Sequence, residues 1–172
     1  SVDGGPLLKE PRSMHAQTVG VKMHVVTANE SAVQNLVNCV ARCHLTVSDF
    51  ALAPYAAGLS ALVEDEKDLG ATVIDMGGGT TSFSVFYEGA AVYGDCIPVG
   101  GQHVTSDIAR GLSTTLQQAE RLKTLYGSCQ PAPSDDRELI DAPRIGEEDD
   151  TSPNRVPRSF LVSIIAPRLE ET

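Results

Sequence analysis

The sequence predicts an α/β domain whose sheet starts with antiparallel strands. Residues 71–86 hold two short apolar runs around three consecutive glycines, which indicates a strand, a tight turn and a second strand. Further along, a Gly-Gly pair at 100–101 precedes Val104, Ile108 and Leu112, whose spacing is typical of a helix. A strand meander followed by a helix is the pattern of a mixed α/β unit.

The composition of the chain excludes several classes of function. A net charge of -10 argues against DNA or RNA as the main partner. An aromatic content of 5% with no Trp argues against a stacking platform for single-stranded nucleic acid. No apolar stretch is long enough to span a bilayer. The four cysteines form no dense framework, so a reducing cytoplasm is the expected compartment.

Two strands, two helices and a charged loop are expected before the glycine turn. Residues 18–27 alternate in part between apolar and polar, which predicts a strand with one buried face. Residues 47–52 predict a short strand, and residues 53–59 open a helix rich in small residues. The charged residues 64–68 predict a solvated loop.

A helix is predicted between the first two of these strands. Thr27 and Glu30 have the spacing of a capping box, and the helix should end near His44. Cys39 and Cys43 lie close to His44, which suggests a metal site, but no second ligand pair accompanies them. Two small apolar residues on a buried helix face are the favoured interpretation.

After the turn, residues 91–93 predict a third strand. A further helix is expected from the capping-box pair Thr114 and Gln117 to a C-cap at Gly127. Glu120 and Lys123 lie three residues apart and so share a face of this helix. Taken alone, that pair is an ordinary surface ion pair.

The C-terminal part of the chain changes in character. Residues 130–158 are rich in proline and include the acidic run 147–150, so this segment should be loop-rich and mobile, with one short strand near 138–141. Residues 159–171 have a helical pattern that Pro167 interrupts.

The glycine turn is the candidate site. Gly77, Gly78 and Gly79 can adopt positive φ and allow another group to approach the main chain. Successive N–H groups in such a turn form a concavity suited to phosphate oxygens. Asp75, at the end of the first strand, is placed to hold a hydrated divalent metal. The alternative is a plain glycine hairpin, although a hairpin needs only two such residues.

Read together, these segments resemble the actin-like ATPase superfamily, which has a ribonuclease H-like fold. Residues 75–81 are similar to its second phosphate motif, and residues 53–59 to its first connecting helix. Residues 97–112 resemble the segment after the meander, and residues 119–123 the Ala-Glu-x-x-Lys stretch that touches adenosine.

Finer details resemble one branch, the FtsA family of bacterial cell-division proteins. The most specific stretch is Ile-Pro-Val-Gly-Gly-Gln-His-Val-Thr-Ser-Asp-Ile-Ala at residues 97–109. Residues 1–4 with Met14, and residues 24–27, 35–40, 66–70 and 166–168, add to it, so that the resemblance extends over nearly the whole chain.

The resemblance implies an incomplete actin-like fold with the end of a small inserted α+β domain. Residues 1–27 would be the tail of that insertion, and residues 28–69 the last part of the first nucleotide lobe. Residues 70–112 would begin the second lobe, and residues 113–172 would form part of its outer subdomain. The first phosphate motif, the later Gly-Gly adenosine motif and a C-terminal membrane helix would lie outside this chain.

The resemblance also implies ATP and Mg²⁺ as cofactors. Asp75 would be the metal-linked aspartate, while Gly77, Gly78, Gly79 and Thr80, with Thr81 beside them, would bind the β- and γ-phosphates. The ribose and adenine would contact Glu120 and Lys123 on the following helix.

The same resemblance bears on catalysis. MreB-like members have a carboxylate before the proline of the connecting helix, whereas Ala53 precedes Pro54 here. No catalytic base is therefore predicted, and we expect slow hydrolysis or a nucleotide-controlled switch.

The partners implied are the FtsZ C-terminal tail, further copies of the protein in a filament, other divisome proteins, and the inner membrane through the C-terminal helix. The FtsZ surface is expected within residues 130–172. The site of action would be the cytoplasmic face of the bacterial inner membrane at the division site. A sugar kinase or a chaperone-type ATPase on the same fold is the alternative.

Overall fold

The computed structural model describes residues 1–6, 8, 10–146 and 154–172, which contain six helices and five strands. In chain order the elements are α1 (Glu30–Ala41), α2 (Ala53–Ala61), α3 (Glu64–Leu69), β1 (Ala71–Met76), β2 (Thr81–Tyr87), β3 (Ala90–Ile97), α4 (Gly101–Leu112), α5 (Leu116–Tyr126), β4 (Leu139–Asp141), β5 (Arg155–Pro157) and α6 (Arg158–Glu170). None of these helices combines the length and the apolar character that crossing a bilayer requires.

The predicted strand meander is present as a three-stranded antiparallel sheet in the order β1-β2-β3. Met76 pairs with Thr81 at the start of the first hairpin, and Thr81 pairs in turn with Ile97. The third strand is longer than the predicted residues 91–93, because its pairing with β2 continues to Ile97. The glycine turn therefore lies at the end of the sheet from which β3 leads into α4.

One face of this sheet is covered by α2. Phe86 on β2 is almost completely buried and stacks on Tyr55 of α2, with ring centroids 6.1 Å apart. Gly58 is required in α2 because a Cβ there would overlap the Phe86 ring. The small residues predicted for this helix thus allow close packing on the sheet.

A second apolar core lies between α4, α5, α6 and β4. Its buried members are Val104, Ile108, Leu112, Ala119, Leu122, Ile140, Ala142, Leu161 and Ile165. The helical spacing that predicted α4 thus corresponds to its buried face. This core fixes α4 against α5, which is the contact on which the candidate site depends.

The helix starts differ slightly from those predicted. Asn29, and not Thr27, caps α1 by accepting a hydrogen bond from the Ala32 N–H at 3.1 Å. Thr115, and not Thr114, caps α5. In both cases the residue that caps is the one whose side-chain oxygen reaches the N–H three positions ahead.

The charged segment before β1 is not the predicted loop. It forms α3, where the Glu66 side chain accepts from the Val63 N–H at 3.0 Å. Lys67 is almost completely buried, and its ammonium group contacts Glu64 at 2.9 Å. A long aliphatic stem can cover apolar surface while its charged end is paired.

The predicted strands at 18–27 and 47–52 are absent. A strand needs a hydrogen-bonding partner, and the described residues supply the first segment with only an isolated bridge between Val2 and Val19. The predicted buried face of the following helix is also wrong, since Cys39 and Cys43 are both exposed. In the part of the chain that the structure describes, no group of three or more His, Cys, Asp or Glu side chains could hold a metal.

The short strand predicted near residues 138–141 is confirmed as β4, and it pairs with β5 in antiparallel register. The helix α6 continues through Pro167 to Glu170, so the predicted interruption is wrong. Its last turn is fixed by Arg168, whose guanidinium binds Asp107 of α4 at 2.6 Å. The acidic run 147–150, which the sequence predicts to be part of a mobile loop, lies outside the described residues.

Candidate functional site

The turn between β1 and β2 consists of Gly77, Gly78, Gly79 and Thr80. It is closed by a hydrogen bond from the Gly77 N–H to the Thr80 carbonyl at 2.8 Å. None of the three glycines has a positive φ, so the conformational reason for predicting them is wrong. Another requirement must account for glycine at these positions.

The space around each glycine shows which of them the fold itself requires. A Cβ at Gly77 would lie 3.0 Å from the Thr80 carbonyl oxygen, so this residue is tightly confined. A Cβ at Gly78 would lie 3.8 Å from the Gln102 side chain, which is an ordinary contact. A Cβ at Gly79 would meet nothing within 4 Å. The chain itself therefore leaves room for side chains at Gly78 and Gly79.

The turn is held from one side by the first turn of α4. The Gly101 N–H donates to the Gly77 carbonyl at 3.0 Å, and the Gln102 N–H donates to the Gly78 carbonyl at 2.8 Å. In a planar trans peptide the N–H points opposite to the carbonyl of the same unit. The N–H groups of Gly78 and Gly79 therefore point away from α4.

These outward N–H groups are available to a ligand. Among the described residues, the N–H groups of Gly78, Gly79 and Thr80 have no hydrogen-bond acceptor. Successive free N–H groups in a turn attract anions, and phosphate oxygens are suitable acceptors. The arrangement fits a phosphate group better than it fits a plain hairpin.

Gly100, the residue before α4, lies very close to the main chain of the glycine turn. A Cβ there would lie 2.6 Å from the Gly77 carbonyl oxygen and 2.7 Å from that of Gly78. The Gly100 N–H donates to Nδ1 of His103 at 3.1 Å, which fixes the start of the helix. Sequence reasoning placed Gly100 before a helix but did not identify its contact with the turn.

Asp75 lies one residue before the end of β1 and is half-buried. Its carboxylate has no hydrogen-bond or ion-pair partner within residues 1–6, 8, 10–146 and 154–172. A half-buried carboxylate without a partner is suited to a hydrated Mg²⁺, which binds through one or two carboxylates plus phosphate oxygens. The metal-holding role of Asp75 stays a prediction.

The predicted pair on α5 is present and is linked to α4. Lys123 Nζ lies 2.7 Å from Glu120 Oε2 and donates to the Gly101 carbonyl at 3.2 Å. Thr105 of α4 bonds both members, to Glu120 at 2.5 Å and from Lys123 at 2.9 Å. The hydrogen bond from Lys123, followed by that from Thr105, lowers the pKa of Glu120 below its ordinary value of 4.5, so this carboxylate is ionised near neutral pH.

The structure thus brings both halves of the predicted site to one helix end. Gly101 donates to the turn through its N–H and accepts from Lys123 through its carbonyl. Thr81, which is predicted to lie beside the phosphates, is almost completely buried, and its hydroxyl donates to the Val99 carbonyl at 2.8 Å. This hydroxyl positions the chain that leads into α4.

The described residues enclose little space around the turn. A cavity of about 100 Å³ lies between the turn, the start of α4 and the end of α6, and Met76, Val104 and Leu169 contribute to its lining. Pockets for small molecules occupy roughly 300–1,000 Å³. A nucleotide would therefore need a second surface facing the free N–H groups.

Comparison with known proteins identifies the family. The family model described as "Cell division protein FtsA" matches residues 72–163, which is more than half of the chain and includes the turn, α4 and α5. The chain belongs to the FtsA family.

Full-length relatives agree with this assignment. The cell division protein FtsA of Rhizobium meliloti is 49% identical over 172 residues, which is 100% of this chain and 39% of the relative. FtsA of Escherichia coli is 33% identical over 164 residues, covering 95% of this chain and 38% of the relative. The chain thus spans about 39% of the length of the curated relatives that it matches.

Solved structures confirm the predicted actin-like fold. MreB5 of Spiroplasma citri bound to ADP superposes with a TM-score of 0.66 at 20% identity, covering 84% of this chain and 45% of that chain. A chain of the PilM-PilN type IV pilus biogenesis complex gives a TM-score of 0.52 at 25% identity, over 58% of this chain and 30% of that chain. The fold is shared with actin-like proteins.

Proposed function

We propose that this chain is part of an ATP-binding, actin-like cell-division protein that polymerises and links the FtsZ ring to the inner membrane during septum formation. The observation that carries the nucleotide part is the row of free N–H groups at Gly78, Gly79 and Thr80. They follow Asp75 by three to five residues in the chain, and the Asp75 carboxylate has no partner among the described residues. Membership of the FtsA family supports the cell-division part.

Residue roles follow from this geometry. The free N–H groups of Gly78, Gly79 and Thr80 would bind the β- and γ-phosphates. Gly77 would keep the turn closed through its bond to the Thr80 carbonyl, and Asp75 would hold Mg²⁺. The metal, when bound, neutralises charge on the phosphates. Glu120 and Lys123 would face the adenosine. MreB5, which shares the fold, was crystallised with ADP and with AMPPNP, and this supports a nucleotide at the equivalent place.

Hydrolysis should be slow. Attack on the γ-phosphate depends on a side chain that positions water. The place that a carboxylate holds in MreB-like proteins is held here by Ala53, just before Pro54 at the start of α2. We therefore propose at most a weak ATPase, with nucleotide binding used to control assembly.

The four-part domain division is proposed in the form that the resemblance implies. The first two parts would be residues 1–27 and 28–69, and the second lobe would begin at residue 70. The boundary between residues 112 and 113 crosses a packed region, since α4 shares an apolar core with α5 and α6. The start of the second lobe and the outer subdomain would therefore move together around α4.

The partners proposed are FtsZ through its C-terminal tail, further copies of the protein in a filament, other divisome proteins, and the inner membrane through a C-terminal helix outside this chain. Residues 130–172 would contribute to the FtsZ surface. A co-sedimentation assay with the complete protein, FtsZ and vesicles of bacterial lipid tests these proposals together. FtsZ should reach the vesicles only when the complete protein and ATP are present, and FtsZ that stays in solution would contradict the linking function.

The nucleotide site is tested by titrating the complete protein with ATP in the presence of Mg²⁺ and in the presence of EDTA. We expect Asp75→Asn to weaken binding at least about tenfold with Mg²⁺ and to change it little in EDTA, because the carboxylate acts through the metal. Asp95→Asn is the matched control, since Asp95 is an exposed strand carboxylate that bonds its own neighbours, Tyr93 and Cys96. Equal Mg-ATP affinity for wild type and Asp75→Asn would contradict the proposal.

A further inference from the structure

The hydroxyl of Thr105 stands at the centre of the network that joins α4 to α5. It lies 2.5 Å from Glu120 Oε2, 2.9 Å from Lys123 Nζ and 3.0 Å from the Gly101 carbonyl oxygen. A hydroxyl has one proton to donate. The shortest contact leads to an ionised carboxylate, and such charge-assisted bonds are the strong ones. The proton is therefore donated to Glu120, while Lys123 donates to the hydroxyl oxygen.

Lys123 has no donor left for a ligand in this arrangement. Its ammonium group has three N–H bonds. They are directed to Glu120 at 2.7 Å, to Thr105 at 2.9 Å and to the Gly101 carbonyl at 3.2 Å. The side chain thus fixes the start of α4 against α5.

Glu120, in contrast, keeps an acceptor free. Only Oε2 is bonded within the network, and among the described residues Oε1 has no partner. The Glu120 side chain is 54% exposed, so this second oxygen can reach a ligand. An ionised carboxylate oxygen held in a fixed position is a strong acceptor for hydroxyl protons.

We infer that Thr105 is a positioning residue that fixes the Glu120 carboxylate to accept hydrogen bonds from the ribose hydroxyls of a bound adenine nucleotide. Thr105 itself is only 6% exposed and does not touch the ligand. The inference rests on the proposed nucleotide site and adds to it the residue that sets ribose recognition. Removing the hydroxyl leaves Lys123 as the one partner of Oε2 within this network, so that the carboxylate is held at a single contact, and it leaves the glycine turn in place.

Three ligands separate ribose recognition from phosphate binding in the complete protein: ATP, 2′,3′-dideoxy-ATP and inorganic tripolyphosphate. Wild type should bind ATP more tightly than the dideoxy analogue. Thr105→Val, which keeps the shape of the side chain, should weaken ATP about tenfold and leave the other two ligands unchanged, as expected for the loss of a hydrogen bond to a charged group. Thr105→Ser should restore the preference for ATP.

Two further variants make the result specific. Thr124→Val is the matched control, since Thr124 lies on α5, the helix that carries Glu120, and its hydroxyl donates to the Glu120 main-chain carbonyl at 2.9 Å and not to the carboxylate. If Thr105 acts through the carboxylate, Thr105→Val should cause no further loss in a Glu120→Ala background. Melting curves of each variant show whether it is folded.

The outcomes distinguish this inference from the function on which it rests. Equal weakening of ATP and tripolyphosphate by Thr105→Val, or an unchanged preference for ATP over the dideoxy analogue, would overturn the role of Thr105 while the nucleotide site stands. If wild type bound neither ATP nor tripolyphosphate, the proposed function would be wrong, and the inference with it.

Discussion

Two alanine substitutions should separate the part of the glycine-rich region that the fold needs from the part that a ligand needs. A Cβ at Gly100 would lie 2.6–2.8 Å from main-chain atoms of Gly77 and Gly78, whereas a Cβ at Gly79 would meet nothing within 4 Å. Neither Gly79 nor Gly100 has a positive φ, so backbone strain affects neither change. The two variants therefore differ in sterics alone.

The structure sets the expected magnitudes. Gly100→Ala must displace α4 from the turn, which weakens two main-chain hydrogen bonds worth about 0.5–1.5 kcal/mol each. Overpacking adds about 1–3 kcal/mol. We expect the unfolding free energy to fall by about 2–6 kcal/mol. Gly79→Ala should instead raise it by up to about 1 kcal/mol, because alanine restricts the unfolded chain.

For Gly79→Ala we expect ATP affinity to fall although the stability of the fold rises. The added methyl group would stand beside the free N–H groups and keep a phosphate oxygen away from them. We expect ATP affinity of the complete protein to fall at least about tenfold, which is 1.4 kcal/mol. Urea denaturation and calorimetric titration measure the two quantities. The prediction is wrong if the Gly79→Ala variant is less stable than wild type by more than about 1 kcal/mol, or if it binds ATP as tightly as wild type does.

Three further predictions concern the pH dependence of stability, a buried ion pair and nucleotide binding by the isolated chain. The pKa of Glu120 is lowered in the folded state, so the stability that its contacts contribute is fully present above its ordinary pKa of 4.5. This contribution is lost as the pH falls through the lower folded pKa. In an acid denaturation series, the stability difference between wild type and Glu120→Gln should therefore shrink below pH 4.5. Arg158→Ala should lower the unfolding free energy in urea by roughly 3 kcal/mol, because it removes the cation paired with the buried Asp135 carboxylate, which is 1% exposed. Arg155→Ala is the control, since it breaks an exposed ion pair that contributes under about 1 kcal/mol. The isolated 172-residue chain should not bind Mg-ATP with sub-micromolar affinity in calorimetry, since the described residues enclose a cavity of only about 100 Å³ near the turn.

The sequence predicts best the elements whose partners are near in the chain. The glycine turn joins two strands that pair with each other, so the pattern of residues 71–86 contains most of the information that the hairpin needs. The prediction failed for residues 18–27, where alternation predicts a strand but the described residues supply only a single bridge at Val19. Alternation indicates which face a strand would bury and does not supply the neighbour that makes it a strand.

The candidate site shows the same division between local and long-range information. Spacing alone placed Glu120 and Lys123 on one helix face, and the structure confirms an ion pair there. Thr105 lies 15 residues from Glu120 and on another helix, so no local pattern could associate them. Their contact depends on the packing of α4 on α5, which long-range apolar contacts establish.

Gly101 explains how two distant motifs can act on one ligand. Its N–H donates to the turn at Gly77, and its carbonyl accepts from Lys123, so a single residue is bonded to both halves of the site. The same helix binds α6 through the ion pair of Asp107 with Arg168. A phosphate that displaced the turn would therefore pull on α4, and α4 cannot move without disturbing either the Glu120 carboxylate or α6. This connection gives a nucleotide at the turn a direct mechanical path to α6, which lies within the residues 130–172 where we propose that FtsZ binds.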